Sequence, residues 1–266
     1  MPELPEVETI ARGLAPELEG RTVTGVTVRE ARLRTPVARD FAARLRGRTL
    51  GRMGRTGKYL VTPLDDGARW LVHLGMTGRL TIGGAHRLPL LHDHVELRFD
   101  DGRTLVYNDP RRFGRLDVLD AAALAKVVGP GIDALDATLT GDWLFARARG
   151  RRTSVKALLM DQREIAGLGN IYVSEALHVA RLSPFRRAST IATRSGEPRE
   201  AAYRLTEAIK QVLTKAINRE SAPYRSSRFR VYDREGEPCP RRGCGGIIKR
   251  RTQGGRSTFY CPVCQR

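Results

Sequence analysis

Two groups of residues in this chain have the types and spacing to do chemistry, and the first is its opening run, Met1-Pro-Glu-Leu-Pro-Glu-Val-Glu8. Three carboxylates, Glu3, Glu6 and Glu8, crowd the start of a chain whose formal net charge is +18. With the initiator Met1 removed, as the small residue after it permits, Pro2 offers a secondary amine with Glu3 beside it. An α-amino group titrates at about 7.7–8.0, so a sizeable fraction is unprotonated and nucleophilic near neutral pH. Such an amine can attack a sugar carbon, displace the attached base and leave an iminium ion, while the neighbouring carboxylic acid moves the protons. The same run also suits plain helix initiation. Pro5 fits a first helical turn, and Glu6 and Glu8 complement the positive end of the helix dipole. Leu4, Val7, Ile10, Leu14 and Leu18 fall at helical spacing, with Gly20 as a stop. That helix accounts for Pro5, Glu6 and Glu8 but leaves Pro2-Glu3 without a structural reason.

The second group is the four cysteines, all within the last 28 residues, as Cys239-x4-Cys244, sixteen intervening residues, and Cys261-x2-Cys264. Two close pairs at that separation are the spacing of a four-thiolate tetrahedral zinc site. Two disulfides are the competing arrangement, disfavoured in an intracellular chain. Ile247 to Thr252 and Ser257 to Tyr260 read as the two strands of a zinc ribbon, with Gln253-Gly-Gly-Arg256 as their turn. A module this small buries little core, so the metal supplies its folding energy. Arg256 is then held out at a hairpin tip.

These groups need elements to position them. At 266 residues the chain suffices for one large or two ordinary domains. It has neither an N-terminal apolar run nor eighteen consecutive apolar residues, so a signal peptide and a membrane span are not expected, and a soluble intracellular protein is. The 47 Lys and Arg against 29 Asp and Glu point to a polyanionic partner, with nucleic acid as the default. The charge is concentrated: residues 225 to 266 carry eleven Lys and Arg against three Asp and Glu. Arginine outnumbers lysine 41 to six, which singles out Lys58 and Lys156 for tasks that guanidinium cannot perform.

Thr22 to Val28 alternates at period two, with Gly25 as a bulge. Further strands are expected at Tyr59 to Thr62, Trp70 to Leu74, Arg79 to Ile82, His94 to Phe99 and Thr104 to Asn108. The last two are joined by the turn Asp100-Asp-Gly102. Helices are expected at Ala121 to Val128, Trp143 to Arg149, Ser154 to Asp161, Tyr172 to Val179 and Arg199 to Asn218, with a linker around Gly129-Pro-Gly131. The fold class is therefore α+β. An N-terminal helix lies against an antiparallel sandwich, a helical domain follows, and a ligand cleft between the two is a common arrangement.

Five segments, in order, resemble the signatures of bacterial formamidopyrimidine-DNA glycosylase: Pro2 to Thr9, His73-Leu-Gly-Met-Thr-Gly78, Asn108-Asp-Pro-Arg-Arg-Phe-Gly114, Gly167-Leu-Gly-Asn-Ile-Tyr172 and the terminal zinc ribbon. The match runs from Pro2 to Gln265. The resemblance implies a base-excision repair enzyme, both DNA glycosylase and AP lyase, acting on double-stranded DNA that contains damaged bases or abasic sites. It implies a catalytic β-sandwich domain over residues 1–131, a helix-two-turn-helix domain over 132–224 and a zinc ribbon over 225–266 with one structural Zn2+. A monomeric protein of the bacterial cytoplasm and nucleoid, without membrane partners, is expected.

By the same resemblance Pro2 is the Schiff-base nucleophile at the sugar C1′, Glu3 the acid assisting ring opening, and Glu6 a residue that sets the charge state of the pair. Lys58 contacts phosphate and assists β-elimination. Arg256 binds the lesion's phosphates and assists δ-elimination. Extruding a base costs a few kcal/mol and leaves a hole, which Met76, Arg111 and Phe113 would fill, the arginine facing cytosine. Asn170 would grip the backbone where Gly167-Leu-Gly169 opens a helix with free N-terminal amides, although alone it would pass for an N-cap. His73, His92, Arg151 and Lys156 align with DNA contacts, and such phosphate contacts fix register without reading sequence. Lys156, on a helix face, would otherwise be solvated.

One stretch departs from the family. Its purine-type members carry a long loop before the zinc ribbon that folds over flipped 8-oxoguanine, whereas residues 218–228 are short and lead directly into Phe229 to Pro238. The expectation is good removal of formamidopyrimidines or hydantoins and poor removal of 8-oxoguanine. Tyr224 and nearby arginines form a substitute cover in the alternative. Two rivals stand beside this assignment, an endonuclease VIII-type glycosylase for oxidised pyrimidines and a non-catalytic zinc DNA-binding protein.

Overall fold

The structure, a computed structural model, describes residues 2–192, 200–219 and 229–266. The chain divides into two compact units, Met1–Pro2 with Glu6–Gly129, and Glu3–Pro5 with Pro130–Arg266. Among the described residues no helix is long and apolar enough to cross a membrane.

Helix α1 (Leu4–Leu18) comes first in the chain and belongs to the first unit from Glu6 onward. Val7, Ala11, Leu14 and Leu18 recur every three or four residues and are buried, so this face forms one wall of the core. Gly20, at φ 76°, takes the left-handed turn that ends it. Strand β1 (Val23–Val28) follows, then a short helix α2 (Phe41–Leu45). After them come β2 (Gly54–Thr56), β3 (Tyr59–Pro63), β4 (Arg69–His73), β5 (Arg79–Gly83), β6 (Asp93–Phe99), β7 (Thr104–Asn108) and β8 (Arg115–Leu119). Helix α3 (Ala121–Val128) closes the unit.

The strands form two four-stranded antiparallel sheets, ordered β1-β6-β7-β5 and β2-β3-β4-β8. Their inward residues share one core: Val23, Val95, Leu97 and Leu105 from one sheet, Leu60, Trp70, Val72 and Leu116 from the other. The expected sandwich is therefore present. Gly25 sits at the β1 register shift, as its place in the alternation suggested.

In this first unit two strands escaped the sequence. In β8 only Leu116 and Val118 face the core, and Arg115 pairs with Asp117 along the strand at 2.7 Å, so it looks like a charged loop. In β2, Gly-Arg-Thr carries no apolar residue at all.

Strand register decides where the loops go. His73 pairs with Tyr59 and with Arg115, while Asn108 pairs with Arg79 and Asp93. The loops around Lys58, His73 to Gly78, His92 and Asp109 to Gly114 therefore emerge at the same end of the sandwich.

In the second unit, β9 (Ile132–Asp133) pairs in parallel with β10 (Ile165–Ala166). Helices α4 (Gly141–Ala148), α5 (Val155–Met160), α6 (Asn170–Val179) and α7 (Glu200–Ile217), with a 3-10 turn at Ala188–Ile191, surround a core built on Leu144, Leu159, Val173, Leu177, Leu205, Ile209 and Leu213. Thr140 and Ser154 cap α4 and α5 by accepting from Trp143 and Ala157 amides. Strands β11 (Lys249–Gln253) and β12 (Arg256–Tyr260) form the terminal hairpin, with Gly254 and Gly255 both at positive φ in its two-residue turn.

Candidate active site and zinc centre

In the second unit the buried carboxylate of Glu3 accepts from the backbone amides of Ile171 at 3.0 Å and Tyr172 at 3.3 Å, the first turn of α6. The sequence suggested that these amides were free for phosphate, with Asn170 as a possible N-cap. Neither holds. Gly169 is the N-cap and offers no side chain, so Glu3, from the other end of the chain, does the capping.

The Gly167-Leu-Gly169 turn exists to admit this segment. Leu4 donates its amide to Gly167 O at 3.2 Å, and Gly167 has φ 99°. A Cβ added at Gly169 would lie 2.3 Å from the Glu3 carboxylate carbon.

Beside this lies Lys156. It is 2 % exposed, not solvated as a helix-face lysine would be. Its Nζ donates to Thr258 Oγ1 at 2.6 Å and Ser257 O at 3.2 Å, so β12 supplies the partners that make burial tolerable. Burial, with the Arg256 charge adding to it and Glu3 opposing, brings its pKa down to about 8. Asn170 Nδ2 donates to the same Ser257 carbonyl at 2.9 Å. Glu3, Lys156, Asn170 and Arg256 are thus gathered by α5, α6 and the hairpin, with Arg256 exposed where β12 begins. Arg151 is engaged by Glu164.

In the first unit the half-buried Pro2 directly precedes Glu3 in the chain. Lys58 is buried just ahead of β3, and its charge bears on His73. Burial first, then Lys58, Arg34 and Arg115, lower the His73 pKa to about 4, so the ring is neutral at physiological pH. Its Nδ1 accepts from the Gly75 amide at 3.0 Å, which places the ring proton on Nε2, the donor a phosphate oxygen requires.

Met76 and Phe113 are 43 % and 40 % exposed, unusual for large apolar side chains and unlike core residues. The Arg111 guanidinium stacks on the Phe113 ring at 4.5 Å. His92 takes a left-handed backbone at φ 70° immediately before Asp93.

The sequence missed what holds these loops. Asp109 is fully buried and accepts from Tyr107 OH at 3.0 Å, the Gly114 amide at 2.9 Å and the Thr77 hydroxyl. Thr77 Oγ1 in turn accepts from the Arg111 amide at 3.2 Å. Burial and the Asp109 charge together raise the Tyr107 pKa well above its ordinary value, keeping it a donor. Asp-Pro-Arg-Arg reads as a turn, so no sequence signal separated this carboxylate from a solvated one. Arg32, Arg34 and Arg112 were also missed. With Leu33 and Phe113 they line a basic cavity of about 390 Å3.

The four cysteine sulfurs lie within 4.8 Å of one another, with Cys239–Cys264 at 3.9 Å and Cys244–Cys261 at 3.5 Å. A tetrahedron with Zn–S of about 2.3 Å has edges of roughly 3.8 Å, so the set fits the ion. Gly246 carries no side chain because a Cβ there would meet Cys261 Sγ at 2.6 Å. The chain holds one structural Zn2+ at these residues.

The formamidopyrimidine-DNA glycosylase N-terminal domain matches residues 1–116, the H2TH domain of the same enzymes matches 130–227, and the zinc finger found in FPG and IleRS matches 236–266. A formamidopyrimidine-DNA glycosylase of Afipia carboxidovorans is 46 % identical over 296 aligned positions covering all of both chains. That alignment is longer than this chain, so the relative has stretches without a counterpart here. Among solved structures, a Lactococcus lactis formamidopyrimidine-DNA glycosylase bound non-covalently to DNA containing an AP site superposes with TM-score 0.88 at 29 % identity. The enzyme from the same organism with DNA containing an N7-benzyl formamidopyrimidine superposes with TM-score 0.87 at 30 % identity. Both structural matches cover all of both chains.

Proposed function

The chain belongs to the formamidopyrimidine-DNA glycosylase family, and from that premise we propose that it excises oxidised purines from double-stranded DNA and then cleaves the strand, as a monomer of the bacterial cytoplasm. The observation that carries the reading is the Glu3 carboxylate, fixed on two amides of α6 and preceded in the chain by Pro2. The cradle fixes the acid immediately beside the residue whose nitrogen becomes the N-terminal amine once Met1 is removed.

With Met1 removed, the Pro2 nitrogen bonds to C1′ as the bond from C1′ to the base breaks, and the base leaves with a proton. Glu3 protonates the ring oxygen as the sugar opens, and the amine loses its proton to become the iminium. That cation acidifies the C2′ proton. Lys58 assists as that proton is lost and the 3′ phosphate leaves, and in the second elimination loss of the C4′ proton expels the 5′ phosphate, with Arg256 assisting. Water then hydrolyses the iminium and returns Pro2. His73 Nε2–H, His92, Arg151, Lys156 and Asn170 hold phosphates. Met76, Arg111 and Phe113 occupy the space of the extruded base. The zinc ion holds the ribbon folded and takes no chemical step.

The test is borohydride trapping on a duplex with one formamidopyrimidine opposite cytosine. Hydride reduces the iminium to a stable amine, so a covalent protein–DNA species is expected. It should vanish when retained Met1, verified by mass, turns the nucleophile into an amide. Trapping by the blocked protein refutes the role of Pro2. Tight binding without trapping by the processed protein would identify a non-catalytic zinc DNA-binding protein. Faster release of oxidised pyrimidines would identify the endonuclease VIII type.

A further inference from the structure

The zinc centre does not end at its four sulfurs. Cys239 Sγ lies 3.3 Å from Nε2 of His178, a completely buried residue in the last turn of α6. A cysteine that binds zinc does so as a thiolate and has no proton to give. The hydrogen in this contact therefore sits on Nε2, and the sulfur accepts it.

The other side of the ring selects the same form independently. Nδ1 is buried without a hydrogen-bond partner among the described residues. A proton there would be a stranded donor, while Nε2 would be left with a lone pair facing a lone pair of sulfur. Only the Nε2–H tautomer avoids both penalties. Arg241, two residues after Cys239, donates to the His178 carbonyl at 2.7 Å and to Val179 O at 3.4 Å, so the cysteine's own loop also grips the end of the helix.

We propose that His178 is a positioning residue of the zinc centre, its Nε2–H bonded to the Cys239 thiolate and fastening the metal site to helix α6. Four thiolates around one divalent ion carry two surplus negative charges. A buried donor to one of them stabilises the thiolate against protonation and slows loss of the ion. The tie reaches further than the metal. The opposite end of α6 holds the Glu3 carboxylate on the Ile171 and Tyr172 amides, and Asn170 there is bonded to the hairpin. One helix thus has the zinc site at its C-terminus and the acid at its N-terminus, and the position of each limits the other.

The experiment starts with the unmutated protein, nitrogen-labelled and with zinc exchanged for an NMR-active cadmium isotope. The His178 ring is expected as the Nε2–H tautomer, with a scalar coupling between that hydrogen and cadmium, transmitted through sulfur. A second measurement follows metal transfer to a chelating dye. His178→Phe, which keeps the bulk and removes the donor, should release zinc roughly 10–100-fold faster. An Nδ1–H tautomer, an absent coupling, or a folded His178→Phe protein that releases zinc at the wild-type rate overturns the proposal. If the variant does not fold, the spectrum of the unmutated protein decides alone.

Discussion

Gly169→Ala acts directly on the placement of Glu3, the group its added Cβ would meet. The added Cβ would stand 2.3 Å from Cδ and Oε1 of Glu3, and ordinary contact begins at 3.4 Å. The carboxylate must retreat by the difference, about 1.1 Å, or the helix must move by as much. Backbone strain does not confuse the result, since φ −134° and ψ −167° at Gly169 are open to alanine. Displacing a reacting group by about 1 Å costs on the order of 100-fold in rate, or about 2.7 kcal/mol in the barrier. Single-turnover base release, on a duplex with one formamidopyrimidine opposite cytosine, should therefore slow roughly 100-fold. Gly84→Ala, where a Cβ meets nothing within 4 Å, is the matched control. Melting temperature and zinc content confirm that the variant is folded. A folded Gly169→Ala protein within about threefold of wild type would refute the reasoning, because a misplaced acid would then carry no rate penalty where the contact demands one.

Replacing Cys244 should remove the metal and most of the DNA affinity while the β-sandwich stays folded, as read by metal analysis, titration with lesion DNA and circular dichroism. Lys156 predicts a pH dependence. Its pKa of about 8 lies below the ordinary lysine value, so its charge fades as pH rises through about 8, and with it the phosphate contact proposed for this residue. DNA affinity should fall from pH 7 to about 9 in the wild type and stay low and flat in Lys156→Met, measured at fixed salt. In folding the sign is opposite. The unfolded chain binds the extra proton between about pH 8 and the ordinary lysine pKa, so this group's contribution to stability grows with pH across that window. Formamidopyrimidines and hydantoins should be released faster than 8-oxoguanine, each opposite cytosine, because a poorly stacked lesion costs less to extrude. Equal or faster release of 8-oxoguanine would contradict this.

Much of the architecture was legible because it is written in local patterns. The period-two run of β6, the spacing of Val7, Leu14 and Leu18, and the cysteine pairs each declare themselves within a few residues. What stayed hidden depends on partners distant in sequence. Glu3 caps a helix 168 residues later, and Lys156 is buried because a hairpin a hundred residues on supplies its acceptors. Glu175 is a further case. Its buried carboxylate accepts from the amides of Arg230, Val231 and Tyr232, and burial raises its pKa against those bonds. Inside an apolar helix nothing marked it for that duty. The shortened stretch before the zinc ribbon, including Tyr224, falls largely at residues 220–228, outside the described residues.

Asp109 also governs when order is imposed. One carboxylate, through Thr77 on one side and Gly114 on the other, makes the Met76 loop and the Arg111–Phe113 loop a single rigid piece. The entropy of ordering both loops is therefore lost when the protein folds and not when a duplex arrives. The apolar tips of Met76 and Phe113 stay in water meanwhile, a standing penalty that only a partner able to cover them can relieve. In the role proposed for it, such a piece enters a duplex like a chisel, whole or not at all, and neither loop can change length without unseating the other.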